Sequence, residues 1–181
     1  MAFDPAAGTS FGFRDYDFDR DPARLAAMAR VYNAATFDPD KPGEVQGSDL
    51  SAFKQAGGKL LIYHGWADPL VTPFFTVDYY EALSRKAGGD AKDFARLFMV
   101  PGMDHCGIGQ DGPGIADTGF DVLTALENWV EKGVAPEQIE ARKVTGGQTL
   151  LARPICPHPQ VTRYKGSGDA KDPASFTCAA P

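Results

Sequence analysis

"KLLIYHGWADPLV", residues 59–71, opens as an apolar run and ends in a loop that carries an acid. Gly57 and Gly58 bound the run on one side and Gly65 on the other. A short apolar run between glycines is the pattern of a strand buried on both faces, as parallel sheets produce. A second such run, "ARLFMVPG", follows at residues 95–102. Between them, "TPFFTVDYYEALSRKAGG" sets Val77, Tyr80 and Leu83 on one helical face. This spacing predicts a helix from Phe74 to Lys86, ended by Gly88 and Gly89.

Working outward, a strong helix is expected from Asp117 or Thr118 to Lys132. Phe120, Leu123, Leu126, Trp129 and Val130 make its apolar stripe, Gly133 stops it, and Thr118 with Asp121 forms a capping box. Residues 138–145, "QIEARKVT", alternate weakly and read as an edge strand; beyond Gly146 the chain reads mostly as loop. Upstream, Asp21 and Pro22 begin an amphipathic helix on Leu25, Met28, Val31 and Tyr32. Residues 37–49 are dense in Pro, Gly and Asp and read as a loop. "DLSAFKQAGG" then reads as a short helix capped by Ser48. Strand, helix, strand, helix is the parallel α/β pattern. Only two strands are convincing, so the chain is expected to be the C-terminal portion of a longer α/β fold. Residues 1–146 would be a partial catalytic domain and 147–181 a loop-rich tail packed on it.

Composition narrows the function. The 181 residues carry a formal net charge of −6, which argues against nucleic acid, whose phosphates demand Lys and Arg. No apolar run approaches the ~18 residues of a membrane span. The start "MAFDPAAGTSFGF" lacks the basic and apolar segments of an export signal. There are three cysteines, Cys106, Cys156 and Cys178, an odd number, so at least one has no partner within the chain. Cys156 and Cys178 lie in the Pro- and Gly-rich tail, where a bridge is the natural staple and two free thiols are the alternative. Closing a loop of about 20 residues contributes roughly 3 kcal/mol.

The loops after both strands carry chemistry. The first holds Asp68, four residues past His64; the second, "PGMDHCG", holds His105. Functional groups of parallel sheets gather beyond the C-terminal ends of the strands. An acid after one strand and a histidine after the next is the late part of the Ser…Asp…His order of hydrolases. The acid orients the imidazole, and the imidazole takes the proton of a serine hydroxyl. The serines are Ser10, Ser48, Ser51, Ser84, Ser167 and Ser175. None stands in a G-x-S-x-G elbow between a strand and a helix; Gly8-Thr9-Ser10-Phe11-Gly12 matches the letters, but no apolar strand run precedes it. Leu70 and Val71, just past the acid, are candidates to line an acyl pocket, with core packing as the alternative. His64 reads as a strand-end residue bonded to backbone, His158 as a surface loop residue, and Trp66 as packing. Asp104-His105-Cys106 lacks the ligand spacing of a zinc site. Asp15, Asp17, Asp19 and Asp21 alternate as in a calcium loop but do not fit the EF-hand register, since Arg20 and Ala26 stand where Gly and Glu are required.

"GGKLLIYHGWADPLV", "ARLFMVPGMDHC", "LENWVEKGVAPEQI", "RPICPHPQVTRYKGSGD" and the closing "FTC" span nearly the whole chain. Together they resemble the C-terminal part of the tannase and feruloyl esterase family, which includes hydrolases of terephthalate monoesters. The resemblance implies an α/β-hydrolase fold and hydrolysis of esters of aromatic acids such as gallate, ferulate or related aryl carboxylates. It implies Asp68 as the triad acid and His105 as the general base. It implies a Cys156–Cys178 bridge, and for Cys106 a bridge to a cysteine preceding the nucleophilic serine. That cysteine, the serine, the oxyanion-hole glycines and the lid with its calcium loop have no counterpart here. The implied partners are a small aromatic ester and a complementing N-terminal half; no cofactor or metal is implied. Periplasmic or extracellular location is expected of the parent enzyme. The alternative is a catalytically inactive truncated or split half that needs a serine-bearing partner.

Overall fold

The computed structural model describes residue 17 and residues 19–20, 47–105, 115 and 119–181. The chain divides into two compact units, Met1–Asp49 and Leu50–Pro181. In the first, the Asp17 carboxylate accepts from the backbone amides of Asp19 and Arg20 and closes a tight turn. The helix expected from Asp21, Cys106, and the capping Thr118 lie outside the described residues.

The second unit begins with α1 (Ser51–Gln55), whose N-cap position is held by Leu50 with no side-chain cap. Ser48 therefore does not stand at the N-cap position, contrary to expectation. Strand β1 (Leu60–Gly65) leads through α2 (Pro73–Lys86) to β2 (Ala95–Val100). β1 and β2 pair in parallel, with Leu60 beside Ala95 and Gly65 beside Val100. Parallel pairing requires a crossover, and α2 supplies it. Pro73 sits at the start of α2, where its missing N–H costs no helix bond. Both strands end at one edge, so the loops carrying Asp68 and His105 emerge side by side.

All six residues of β2 are buried. On one face Ala95, Leu97 and Met99 pack with Tyr80, Leu83 and Phe94. On the other, Phe98 and Val100 pack with Phe120, Ile139, Ala141 and Ile155. Alternation of side chains across a strand explains why a strand covered on both faces shows no polar alternation. Arg96 is the exception in chemistry but not in burial. Its guanidinium meets Glu137 at 3.0 Å, its Nε donates to the Lys92 carbonyl at 3.1 Å, and it lies over the Trp129 ring.

Helix α3 (Val122–Lys132) starts later than expected. Phe120 bridges Ala141 in antiparallel fashion and belongs to the core, which pulls it out of the helix. Asp121 caps it, accepting from the Thr124 amide at 3.0 Å, and Gly133 closes the C-terminus in the left-handed region. The buried face is also rotated: Trp129 is buried and Val122 and Ala125 pack on the core, while Leu123 and Val130 are exposed.

The largest departure concerns the tail. Strand β3 (Ile139–Thr145) does exist, with Ile139 and Ala141 buried alternately. It pairs antiparallel with β4 (Gln148–Ile155), and Thr145 faces Gln148 across Gly146-Gly147. Both glycines have positive φ, 57° and 78°. That is the geometry a two-residue hairpin turn requires. Two further strands, β5 (Val161–Tyr164) and β6 (Phe176–Ala179), also pair antiparallel. Residues beyond Gly146 thus carry three strands within the loop-rich tail. A disulfide joins Cys156 to Cys178, with Cα atoms 5.6 Å apart, and ties the end of β4 to β6.

Candidate active site

Asp68 and His105 meet. His105 Nδ1 lies 2.7 Å from Asp68 Oδ2. The approach is built by backbone contacts between the two loops. The Trp66 amide donates to the Val100 carbonyl at 2.9 Å, and the Ala67 amide donates to the Met103 carbonyl at 3.0 Å. Met103 is buried and anchors the second loop. The Asp104 carboxylate accepts from the His105 amide at 2.6 Å and fixes the backbone on which the imidazole stands.

The two oxygens of Asp68 do different work. Oδ1 accepts from the amides of Leu70 at 2.8 Å and Val71 at 2.9 Å. Oδ2 faces histidine. One carboxylate thus closes the turn and meets an imidazole. Its side chain is only 5% exposed, whereas that of His105 is 29% exposed. Burial opposes the charge of Asp68, but the Val71 amide, His105, the Leu70 amide and His64 outweigh it. Together they hold the carboxyl well below the usual carboxylate range. Asp68 is ionised at neutral pH, as an acid that steadies an imidazolium must be. Nδ1 of His105 then carries a proton toward Asp68. Its Nε2 has no hydrogen-bond partner among the described residues, and can act as a base.

The pair lines a cleft of about 300 Å³ with Tyr63, His64, Gly65, Val71, Met103 and Asp104. Val71 is part of that lining. Leu70 is not, and is 62% exposed beside it. Trp66 is also exposed, touching Phe74 edge-on at 5.6 Å, so it packs less than expected. His158 is a half-buried loop residue: its side chain is 23% exposed, its amide donates to the Leu97 carbonyl at 2.7 Å and its ring meets Tyr80 edge-on.

His64 is the residue that sequence reasoning missed. It is bonded to side chains rather than backbone: Nε2 lies 3.0 Å from Asp68 Oδ2, and Nδ1 lies 2.6 Å from Thr76 Oγ1. The available signal was its place at the strand end, four residues before the acid.

Gly65 sets the distance between the loops. A Cβ there would strike the Met103 backbone carbonyl, the acceptor that holds Ala67. Backbone cannot yield as a flexible side chain can. Gly65→Ala is therefore expected to destabilise the fold by about 1–3 kcal/mol and to separate Asp68 from His105. Chemical denaturation measures the first effect. Loss of the far-downfield His105 Nδ1 proton signal in the NMR spectrum reports the second, and an unchanged signal would contradict it.

Comparison with known proteins gives the family. The family profile described as tannase and feruloyl esterase matches residues 10–179. A mono(2-hydroxyethyl) terephthalate hydrolase of Piscinibacter sakaiensis is 45% identical over 92% of this chain and 26% of its own length. A probable feruloyl esterase of Arthroderma benhamiae is 40% identical over 94% of this chain and 32% of its own length. The crystal structure of feruloyl esterase B from Aspergillus oryzae superposes with a TM-score of 0.62 at 31% identity. That match covers 74% of this chain and 29% of the other. The chain thus spans about a quarter to a third of the length of the relatives it matches. Its fold is of the α/β-hydrolase type. The chain belongs to the tannase and feruloyl esterase family.

Proposed function

We propose that this chain supplies the acid and the general base of a serine-type carboxylic ester hydrolase. The observation that carries the reading is the 2.7 Å contact between Asp68 Oδ2 and His105 Nδ1, with Nε2 unpartnered among the described residues. In this reading Nε2 takes the proton of a serine hydroxyl as the oxygen attacks the ester carbonyl. Asp68 stabilises the imidazolium that forms. The imidazolium protonates the departing alcohol, leaving an acyl-serine. His105 then activates a water that releases the acid.

The substrates proposed are esters of aromatic acids, gallate, ferulate or related aryl carboxylates, of the kind named for the relatives above. Val71 in the cleft supports an apolar acyl side, with Leu70 beside its mouth. The serine is proposed to come from another segment, because no serine of the 181 residues stands between an apolar strand run and a helix; the G-x-S-x-G match at Gly8-Thr9-Ser10-Phe11-Gly12 follows no such run. Alone, the chain is then inactive. The disulfide favours an oxidising compartment, periplasmic or extracellular. No described helix is long and apolar enough to cross a membrane.

The test joins the chain in frame to the coding sequence upstream of Met1 in its source DNA and assays hydrolysis of a methyl ferulate ester. Hydrolysis by the joined protein, abolished by His105→Ala and absent from the 181-residue chain, is the expected result. A folded joined protein that leaves the aryl ester intact, or one whose activity survives His105→Ala, would overturn the reading.

A further inference from the structure

Asp68 carries a second imidazole that an acid–histidine pair does not need. His64 stands on β1, while His105 stands on a loop. The two rings approach the same oxygen, Oδ2, at 3.0 and 2.7 Å. The His64 side chain is 13% exposed. A carboxylate oxygen only accepts, so the nitrogen of His64 that faces it, Nε2, carries a proton. The opposite nitrogen, Nδ1, meets the Thr76 hydroxyl at 2.6 Å, on the first turn of α2. A hydroxyl can donate there. The hydrogen bonds then run in one sense. Thr76 donates to His64, and His64 and His105 both donate to Asp68.

The arrangement addresses a mechanical difficulty. Oδ1 is committed to the turn at Leu70 and Val71, so the plane of the carboxylate follows a loop. Bonds to groups on rigid elements hold a site more closely than bonds to loops. His64 belongs to the parallel strand pair and Thr76 to the crossover helix. They tie the other oxygen to the two most regular elements near the site.

We infer that His64 is a positioning residue, fixed by Thr76 with its proton on Nε2, that aims Asp68 Oδ2 at His105. The inference rests on the acid–base reading above and extends it. His64 does not exchange a proton with substrate; it acts through Asp68.

The experiment is long-range proton–nitrogen NMR of the imidazoles in the ¹⁵N-labelled 181-residue chain at neutral pH. Three histidines make assignment by single substitution direct. In the unaltered chain His64 is expected as a single Nε2–H tautomer and His105 as a single Nδ1–H tautomer. His64→Leu fills the space without a donor. It is expected to give His105 a mixed tautomer and roughly tenfold faster exchange of its Nδ1 proton with water, the scale of one lost charge-assisted hydrogen bond. Thr76→Val is expected to mix the tautomers of His64, and Thr76→Ser to restore them. A residue that merely fills space moves none of these signals.

An unaltered His64 found with its proton on Nδ1, or doubly protonated, overturns the inference without any variant. So does a His64→Leu chain whose His105 signals match the unaltered chain. If His64→Leu loses its dispersed spectrum, Thr76→Val decides: an unmixed His64 refutes and a mixed one supports. Asp68→Asn separates the two levels of argument. If it leaves His105 unchanged, the acid–base pair itself fails; if it changes His105 while His64→Leu does not, only the role of His64 fails.

Discussion

Asparagine in place of Asp68 is expected to lower kcat of the joined esterase about 10,000-fold, with little change in KM. The reason lies in the division between the carboxylate oxygens. The amides of Leu70 and Val71 require an acceptor, so the asparagine carbonyl turns toward them. Its amide NH₂ must then face His64 and His105. A donor facing His105 Nδ1 obliges that nitrogen to accept, which moves the ring proton to Nε2. Nε2 is the atom that would take the serine proton, and in that tautomer it cannot. The variant keeps its turn and its fold, so the loss is one of tautomer rather than of structure. Steady-state kinetics with the NMR tautomer signature of His105 measures both parts. A kcat within tenfold of the unaltered enzyme would remove Asp68 from the mechanism.

Phe98→Ala is expected to cost about 3–5 kcal/mol of stability. Phe98 has no exposed surface. Its ring lies 6.3 Å from that of Phe120 in an edge-on arrangement, within the cluster that joins β2 to β3 and β4. Truncation leaves a cavity between the strand pair and the hairpin, and neither backbone can collapse to fill it while both remain hydrogen-bonded. Phe75→Ala is the control, because that ring is 68% exposed; its effect is expected within about 0.5 kcal/mol. Urea denaturation measures both. A loss below about 1 kcal/mol for Phe98→Ala would mean that the hairpin does not depend on this face of β2.

β1, α2 and β2 are legible in the sequence because each is bounded by glycines and has a single hydrophobic period. Their parallel order alone places Asp68 and His105 at one edge, and the tail cysteines do form their bridge. The hairpin at Gly146-Gly147 is harder to read, although a Gly-Gly pair between β-prone runs is a hairpin signal. β4 carries Pro154, and the register slips between Lys143 and Val144, so the alternation that identifies a strand is broken. The late start of α3 is hidden for another reason. Phe120 is apolar at a helical spacing, and only the Ala141 bridge reveals that a strand claims it. His64 escapes because hydrogen bonding of one side chain to another is a property of three dimensions. Its distance from Asp68 in sequence fits a helix turn as well as a strand end.

The segment after β4 has a bearing on self-association. β2 is an apolar strand, and an uncovered apolar edge templates the addition of further strands. Pro157 lies opposite Phe98, and the His158 amide occupies the Leu97 carbonyl. Proline has no N–H to offer a newcomer and cannot join a continuing ladder. The disulfide beside it, at Cys156, holds this cover in place. The tail therefore guards one side of the sheet against amyloid-like stacking, and reduction of the bridge would loosen the guard along with the tail.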